Sequence, residues 1–421
     1  MLTEGFRQQR IDVAPASTAA CRPLFYLAIC CFALSGTARA QQQAVTRNDA
    51  IQAALARGPR LAIARADTAA ARAQLVTAGA WQNPVLATSY TKSAPQVHIT
   101  LEMPIDFPGV RSSRIRSAQA SLLAAGYRFR FEQAAIALDA DTTFTHAQAA
   151  IAHARLSRRN AADADSLLRM SVARRDAGDA SELDVQLATV NAGQQENIAV
   201  ADSVAAIIAL DNLRTVMGIP AATTPLALVD SLSAPARDSV TAPAGIALPV
   251  AAASAALTAA EIGVRLQHRS VLGSPSLLAG FETRDPTGSE PGILPTVGIS
   301  IPLPLLNRNR GPIALAEAER ARARAELDLA RLESAAQLAR AVRERAGALA
   351  RVARDQTLVA SANRVAAMSL TAYRAGAVSL PNVFEAQRNA REVLAQYIDD
   401  VAAALIANST LRLLTLTTAS P

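Results

Sequence analysis

The chain has 421 residues, of which 51% are hydrophobic but only 4% aromatic, and its formal net charge is +7. Alanine makes up the apolar surplus, and alanine is the best helix former. The basic balance does not describe a nucleic-acid protein, because the arginines are interleaved with acids, as in Glu317, Glu319, Arg320, Arg322, Arg324 and Glu326. That spacing makes a solvated helix face, and no nucleic-acid partner is expected.

Residues 1–40 read as a signal peptide. Arg7, Arg10 and Arg22 precede an apolar run over 24–34, and Ala38-Arg39-Ala40 supplies a small-residue cleavage site. All three cysteines, Cys21, Cys30 and Cys31, lie inside this segment, so cleavage after Ala40 leaves no thiol, disulfide or cysteine metal site. The alternative is a lipid anchor on Cys30 or Cys31, to which the preceding Ile29 is ill suited.

Beyond the signal, the spacing predicts a short helix over 46–80 and strands over 85–91 and 97–105, joined by a polar loop at 92–96. Phe107-Pro108-Gly109 forms a turn, and no proline follows until Pro220. A helix over 111–177 would be about 100 Å long. Ile115, Leu122, Phe129 and Ile136 recur every seven residues before Phe144 and Ile151 take over, a coiled-coil seam. Its partner is a helix over 181–217, entered at Gly178 with Ser181 as N-cap.

After a linker at 219–248 the same order returns. A short helix is expected over 248–272, with strands over 276–283 and 296–303 joined by a Pro/Gly-rich loop at 284–295. Ile299, Ile301, Leu303 and Leu305 keep a strand-like alternation up to Asn307-Arg308-Asn309-Arg310-Gly311-Pro312, which opens a second long helix. Val342, Leu349, Val352 and Leu358/Val359 form its seam. The turn at Gly376 leads to a helix over 379–413, with Ser379 as N-cap.

The match between halves is residue by residue. Val97, Ile99, Leu101 and Pro104 answer Val297, Ile299, Ile301 and Pro304, and Arg175–Ser181 answers Tyr373–Ser379. The domain reading is a first repeat at 41–218, a linker at 219–248, a second repeat at 249–415 and a tail at 416–421. No membrane-crossing helix is expected beyond residue 40, so membrane residence must come from the strands. Four strands cannot close a barrel, and lipid does not tolerate an open edge, so the chain must pool strands with copies of itself.

This double strand–turn–helix pattern, with NRNRG before an AEAE run, resembles the TolC-like outer-membrane channel proteins of bacterial efflux pumps over about residues 44–415. The PLxNRNRG wording is most similar to the CzcC-like heavy-metal-efflux branch. The resemblance implies a mostly α protein with a small β part. In that family a homotrimer shares one 12-stranded transmembrane β-barrel above a periplasmic α-barrel tunnel. It implies a passive exit channel in the outer membrane of a Gram-negative cell, conducting divalent heavy-metal cations. A multidrug or type I secretion channel is the alternative, with a periplasmic adaptor or a structural coiled-coil protein as other classes. The implied partners are a periplasmic adaptor (membrane fusion) protein, an inner-membrane pump of the resistance–nodulation–division type, and outer-membrane lipid.

No catalytic motif occurs, and neither an enzyme nor a cofactor is expected. His98, His146, His153 and His268 are dispersed. His146 and His153 share a helix face two turns apart, too far for one metal ion. The family places its gate at the periplasmic tips. Carried over by motif, Asp184 in ELDVQ is the first-repeat acidic position, and Asn382 and Glu385 in PNVFEA are the second-repeat ring. Tyr373 is the latch tyrosine. Val378 occupies the latch arginine position, with Arg374 or Arg175 as substitutes. A carboxylate ring favours cations, but Asn382 is uncharged, which leaves Glu385. First-turn helix charge is the plainer role for Asp184. Ala177, Gly178, Ala375 and Gly376 are the expected adaptor-docking tips.

Overall fold

The computed structural model describes residues 43–220, 226–236, 245–285, 287–288 and 292–419; the signal segment with its cysteines and parts of the linker lie outside them. Strand β1 (Gln43–Val45) leads into helices α1 (Arg47–Arg57) and α2 (Pro59–Gly79), then strands β2 (Val85–Tyr90) and β3 (Val97–Pro104), and helices α3 (Val110–Asp176) and α4 (Glu182–Val216). Strand β4 (Leu226–Leu228) pairs in parallel with β1. The order then repeats as α5 (Leu248–Arg269), β5 (Ser276–Thr283), β6 (Leu294–Ser300), α6 (Arg310–Arg374) and α7 (Leu380–Leu414).

The 67 residues of α3 and 65 of α6 make rods of about 100 Å. Each folds back on a shorter partner: α4 packs on α3, and α7 on α6. The two hairpins join through α3 and α7, which leaves α4 and α6 at the flanks. The stretch of α3 that α4 does not reach is covered by α2 and α5. Near mid-length, Arg47 ties α1 to Asp141 and Gln148 of α3, and its N–H donates to Asp230 at 2.6 Å.

The four strands form one antiparallel sheet in the order β2-β3-β5-β6. Its register sorts the side chains by polarity. Leu86, Leu101, Ala279 and Val297 form one cross-strand row, with Met103, Leu277 and Ile299 beside it on the same face. The opposite face carries Thr100, Gly280 and Thr296, then Ser89, His98 and Glu282. The His98 and Glu282 side chains meet at 3.2 Å. Only glycine fits at 280, because a Cβ there would lie 2.4 Å from the Ile99 carbonyl oxygen. Among the described residues, β2 and β6 are unpaired along their outer edges.

Several sequence expectations are corrected. The helix over 46–80 is two helices, because Pro59 has no N–H to continue the ladder and pushes Gly58 into an extended conformation (φ −63°, ψ 128°). The last strand stops at Ser300 rather than 303, since Pro302 and Pro304 cannot donate to a ladder. Ser181 caps α4 with its hydroxyl, but Ser379 makes no side-chain cap on α7. Val352 lies buried in the second seam while Val342 and Leu358 are exposed, because α7 covers only one flank of α6. Residues 248–272 are also apolar enough, with a mean hydropathy of 1.2, to cross a bilayer by composition. That helix instead turns Ala251, Ala255, Ala259 and Ile262 inward, packed against α3 and α6.

Candidate functional site

Both hairpin tips are built by the same local chemistry. At the end of α3, Gly178 takes a left-handed conformation (φ 85°) and its N–H donates to the Arg175 carbonyl at 2.9 Å, while the Asp179 N–H reaches Arg174 at 2.8 Å. At the end of α6, Gly376 (φ 74°) donates to Tyr373 at 2.9 Å and Ala377 to Ala372 at 2.8 Å. These paired bonds satisfy carbonyls that a helix end leaves open, and they require a residue that tolerates positive φ. Ala177, Gly178, Ala375 and Gly376 are exposed there.

Beneath the tips Leu167, Ala188, Tyr373, Leu380 and Val383 form a shared core, drawn from both hairpins. Tyr373 is buried, and its hydroxyl lies 3.5 Å from the hydroxyl of buried Ser171. The cation that meets it is Arg174. Its guanidinium sits 4.8 Å above the ring and donates to the Tyr373 main-chain oxygen at 2.8 Å. Neither sequence candidate takes that place. Arg175, about 100° further round the helix, turns away to Asp176 at 2.8 Å and Glu182 at 3.2 Å, and those hydrogen bonds, Asp176 foremost, raise its pKa. Arg374 is exposed and lines a groove with Asp163, Gln387 and Arg391.

Asp184 serves as a helix cap. Its carboxylate accepts the Ser181 N–H at 3.1 Å and the Ser181 hydroxyl at 2.9 Å, and the Asp184 N–H donates to the same hydroxyl at 3.2 Å. This reciprocal pair is a capping box, and the carboxylate stays at the positive end of α4. Asn382 is exposed in the first turn of α7 and its carbonyl accepts a bond from the Ser369 hydroxyl at 3.4 Å. Glu385 is exposed and accepts a bond from Arg388 at 2.7 Å. That bond is the chief reason its carboxyl is held below the usual glutamate range. Glu385 and Arg388 line a 540 Å³ groove with Leu187, Phe384, His153 and Arg391. Any cation attraction at Glu385 is therefore partly offset by its own neighbour.

Sequence reasoning missed a pair of buried acids. Asp355 on α6 and Asp400 on α7 are 7% and 4% exposed. Asp400 accepts bonds from Arg351 at 2.6 Å and from Gln396 at 3.0 Å, whereas one oxygen of Asp355 has no hydrogen-bond partner among the described residues. Burial, then the bond and charge of Asp400, push the Asp355 carboxyl up. For Asp400, burial acts upward but the bonds from Gln396, Arg351 and Asp355 outweigh it and hold its carboxyl down. Of the two carboxyls, Asp355 is therefore the one that keeps its proton to the higher pH. Heptad spacing puts Asp355 on one stripe with Ala348 and Ala341, but only the packing of α7 on α6 buries that stripe. Among the described residues no group of three His, Cys, Asp or Glu could hold a metal ion. His153 instead bridges the hairpins through Asp399 at 2.8 Å.

Residues 50–219 and 248–415 match the model of a family described as outer membrane efflux protein. No curated protein sequence matches the chain. Among solved structures the chain is similar to CusC, described for transmembrane channel formation, with a TM-score of 0.74 and 17% identity over 88% of this chain and 92% of that one. It is also similar to the outer membrane protein VceC of Vibrio cholerae (TM-score 0.72, 16% identity, 88% and 96% covered). A third likeness is to the open state of the MtrE outer membrane channel of Neisseria gonorrhoeae (0.68, 14%, 88% and 88%). At these identities the structures share the fold.

Proposed function

The chain belongs to the outer membrane efflux protein family, and from that premise we propose that it is the passive exit duct of a tripartite pump for divalent heavy-metal cations. Three copies pool their strands into one 12-stranded barrel, and their helices continue it as a tunnel through the periplasm. A periplasmic adaptor docks at Ala177, Gly178, Ala375 and Gly376, and the inner-membrane pump is of the resistance–nodulation–division type. Outer-membrane lipid surrounds the barrel. The tunnel narrows at the tips, where Asp184, Asn382 and Glu385 face the passing solute and the Tyr373–Arg174 contact restrains opening.

The observation that carries the duct reading is the two-faced sheet with two open edges. Its apolar rows suit lipid and its polar rows suit water, and an unpaired edge cannot stay in a bilayer. The flanking helices support copies packing side by side, because Val190 and Ile207 of α4 and Leu332 and Val365 of α6 are exposed. The metal substrate is supported by the PLxNRNRG wording alone. Two asparagines of that motif have local work. Asn307 accepts the Asn309 N–H at 3.0 Å, and Asn309, left-handed at φ 59°, donates to the Gln267 carbonyl at 2.8 Å.

The test is growth of a strain lacking the gene, scored against zinc, cobalt, nickel, cadmium and copper on one side and dyes, detergents and antibiotics on the other. Metal sensitivity restored by the wild-type gene supports this reading. Sensitivity to the organic compounds alone keeps the duct and replaces its cargo.

A further inference from the structure

The two halves of the duplication part company just after β3 and β6. At an offset of 200, Asp106, Pro108 and Val110 stand where the second half has Leu306, Arg308 and Arg310. The backbones agree, since Gly109 and Asn309 both enter their long helices in a left-handed conformation, φ 84° and 59°. The side chains do not. In the first half Asp106 is turned inward onto Arg114 at 2.9 Å, and Val110 is buried. In the second half Leu303, Leu305 and Leu306 are 71%, 75% and 103% exposed. Arg308 and Arg310 are exposed too, with no hydrogen-bond or ion-pair partner among the described residues.

The loop is nonetheless firmly held. The Leu305 N–H donates to the Leu303 carbonyl at 2.8 Å, and Asn309 is bonded to Gln267 of α5. The apolar alternation that Val297 and Ile299 begin on β6 continues in sequence through Ile301, Leu303 and Leu305, all exposed, and two arginines follow at 308 and 310. Apolar side chains and then cations, at the level where strands give way to helices, match the order of acyl chains and phosphates across one leaflet.

We propose that residues 303–310 dock on the periplasmic leaflet of the outer membrane, with Leu303, Leu305 and Leu306 in its acyl region and Arg308 and Arg310 on the phosphates of anionic phospholipids. The inference rests on the outer-membrane duct reading. Two features favour lipid over a second copy of the chain. The exposed leucines follow in sequence directly on the strand whose Val297 and Ile299 lie on the face of the sheet that suits lipid. A neighbouring copy pairing its β2 edge with β6 would bring residues 80–85, which contain no acid to receive the arginines.

The single tryptophan, Trp81, makes this measurable. A Trp81→Phe chain with Leu306→Trp is reconstituted in liposomes of phosphatidylcholine, and the new indole is quenched with brominated phosphatidylcholine or brominated phosphatidylglycerol. Both lipids should quench it, phosphatidylglycerol with a roughly fivefold preference that Arg308→Gln with Arg310→Gln abolishes. Excess inorganic phosphate should leave the preference intact. A second reporter, Val297→Trp, marks insertion of the barrel. Quenching at 297 but not at 306 overturns the inference and leaves the duct, the loop then lying in water or against another copy. Equal quenching by the two lipids at 306, unchanged by the arginine substitutions, overturns the headgroup assignment. No quenching at either position removes the membrane reading itself.

Discussion

Arg174 lies over the ring of Tyr373 at 4.8 Å and at the same time donates to the Tyr373 carbonyl at 2.8 Å, so one guanidinium reads both the side chain and the backbone of the opposite hairpin. The two residues belong to α3 and α6, and their contact staples the tip within one chain. A stacked, partly buried cation contributes about 0.5–2 kcal/mol. Truncating a buried aromatic ring costs about 3–5 kcal/mol. Arg174→Ala should therefore loosen the tip, and Tyr373→Ala should loosen it further. Single-channel conductance in planar bilayers should rise several-fold for both, while Tyr373→Phe stays near wild type because the hydroxyl contact to Ser171 is long. Unchanged conductance for Tyr373→Ala would place the closure elsewhere.

Asp184 holds a capping box and also carries charge at the tip, and two substitutions separate these roles. Ser181→Ala removes the cap alone and should cost about 1 kcal/mol, read as a lower thermal midpoint with unaltered ion selectivity. Asp184→Asn keeps an oxygen for the cap but removes the charge. A fall in cation over anion permeability for Asp184→Asn only would assign it to the gate. Equal, purely thermal effects would make it a cap and nothing more.

Glu385 and Arg388 offset one another across 2.7 Å. Because the bond from Arg388 holds the Glu385 carboxyl below its ordinary range, the charge at 385 is present from neutral pH down past the usual glutamate value and is lost only below it. Cation permeability should thus hold steady between about pH 7 and pH 5. Arg388→Gln should strengthen cation preference and bring its loss on acidification to a higher pH, and Glu385→Gln should weaken it. Reversal-potential measurements across that range decide, and an unmoved preference in both variants would remove this pair from the conduction path.

The Asp355–Asp400 pair makes the helix seam sensitive to pH. A raised carboxyl at Asp355 means that the folded chain keeps a proton the unfolded chain releases. That contribution is complete below the ordinary aspartate range and is lost as pH rises through the raised value. Asp400, held low, contributes above the ordinary range and loses it only as pH falls through its own lowered value. Thermal stability should therefore decline as pH rises from the ordinary aspartate range through the raised value of Asp355. Asp355→Asn, which supplies a permanent N–H donor to Asp400, should flatten that slope and raise the thermal midpoint above that window by about 2 °C. A wild-type slope that survives in Asp355→Asn would show that the pair does not share a proton.

The duplication, the two long helices, the hairpin turns and the sorting of strand faces were all legible in the residues. Each depends on local causes: a proline that cannot donate, a glycine that tolerates positive φ, an apolar period of two or seven. Gly178 and Gly376 had to end their helices wherever the rest of the chain went. The break at Gly58-Pro59 and the early stop of β6 before Pro302 follow from the same rules. The arginine that meets Tyr373 could not be read this way, because one residue along α3 is a rotation of about 100°, and that rotation decides whether Arg174 or Arg175 faces the second hairpin. Nor could the burial of Asp355 against Asp400, or the exposure of Val342 on the same helix as buried Val352. A heptad says which residues share a stripe, and only the placement of neighbouring helices decides where along that stripe another helix lies.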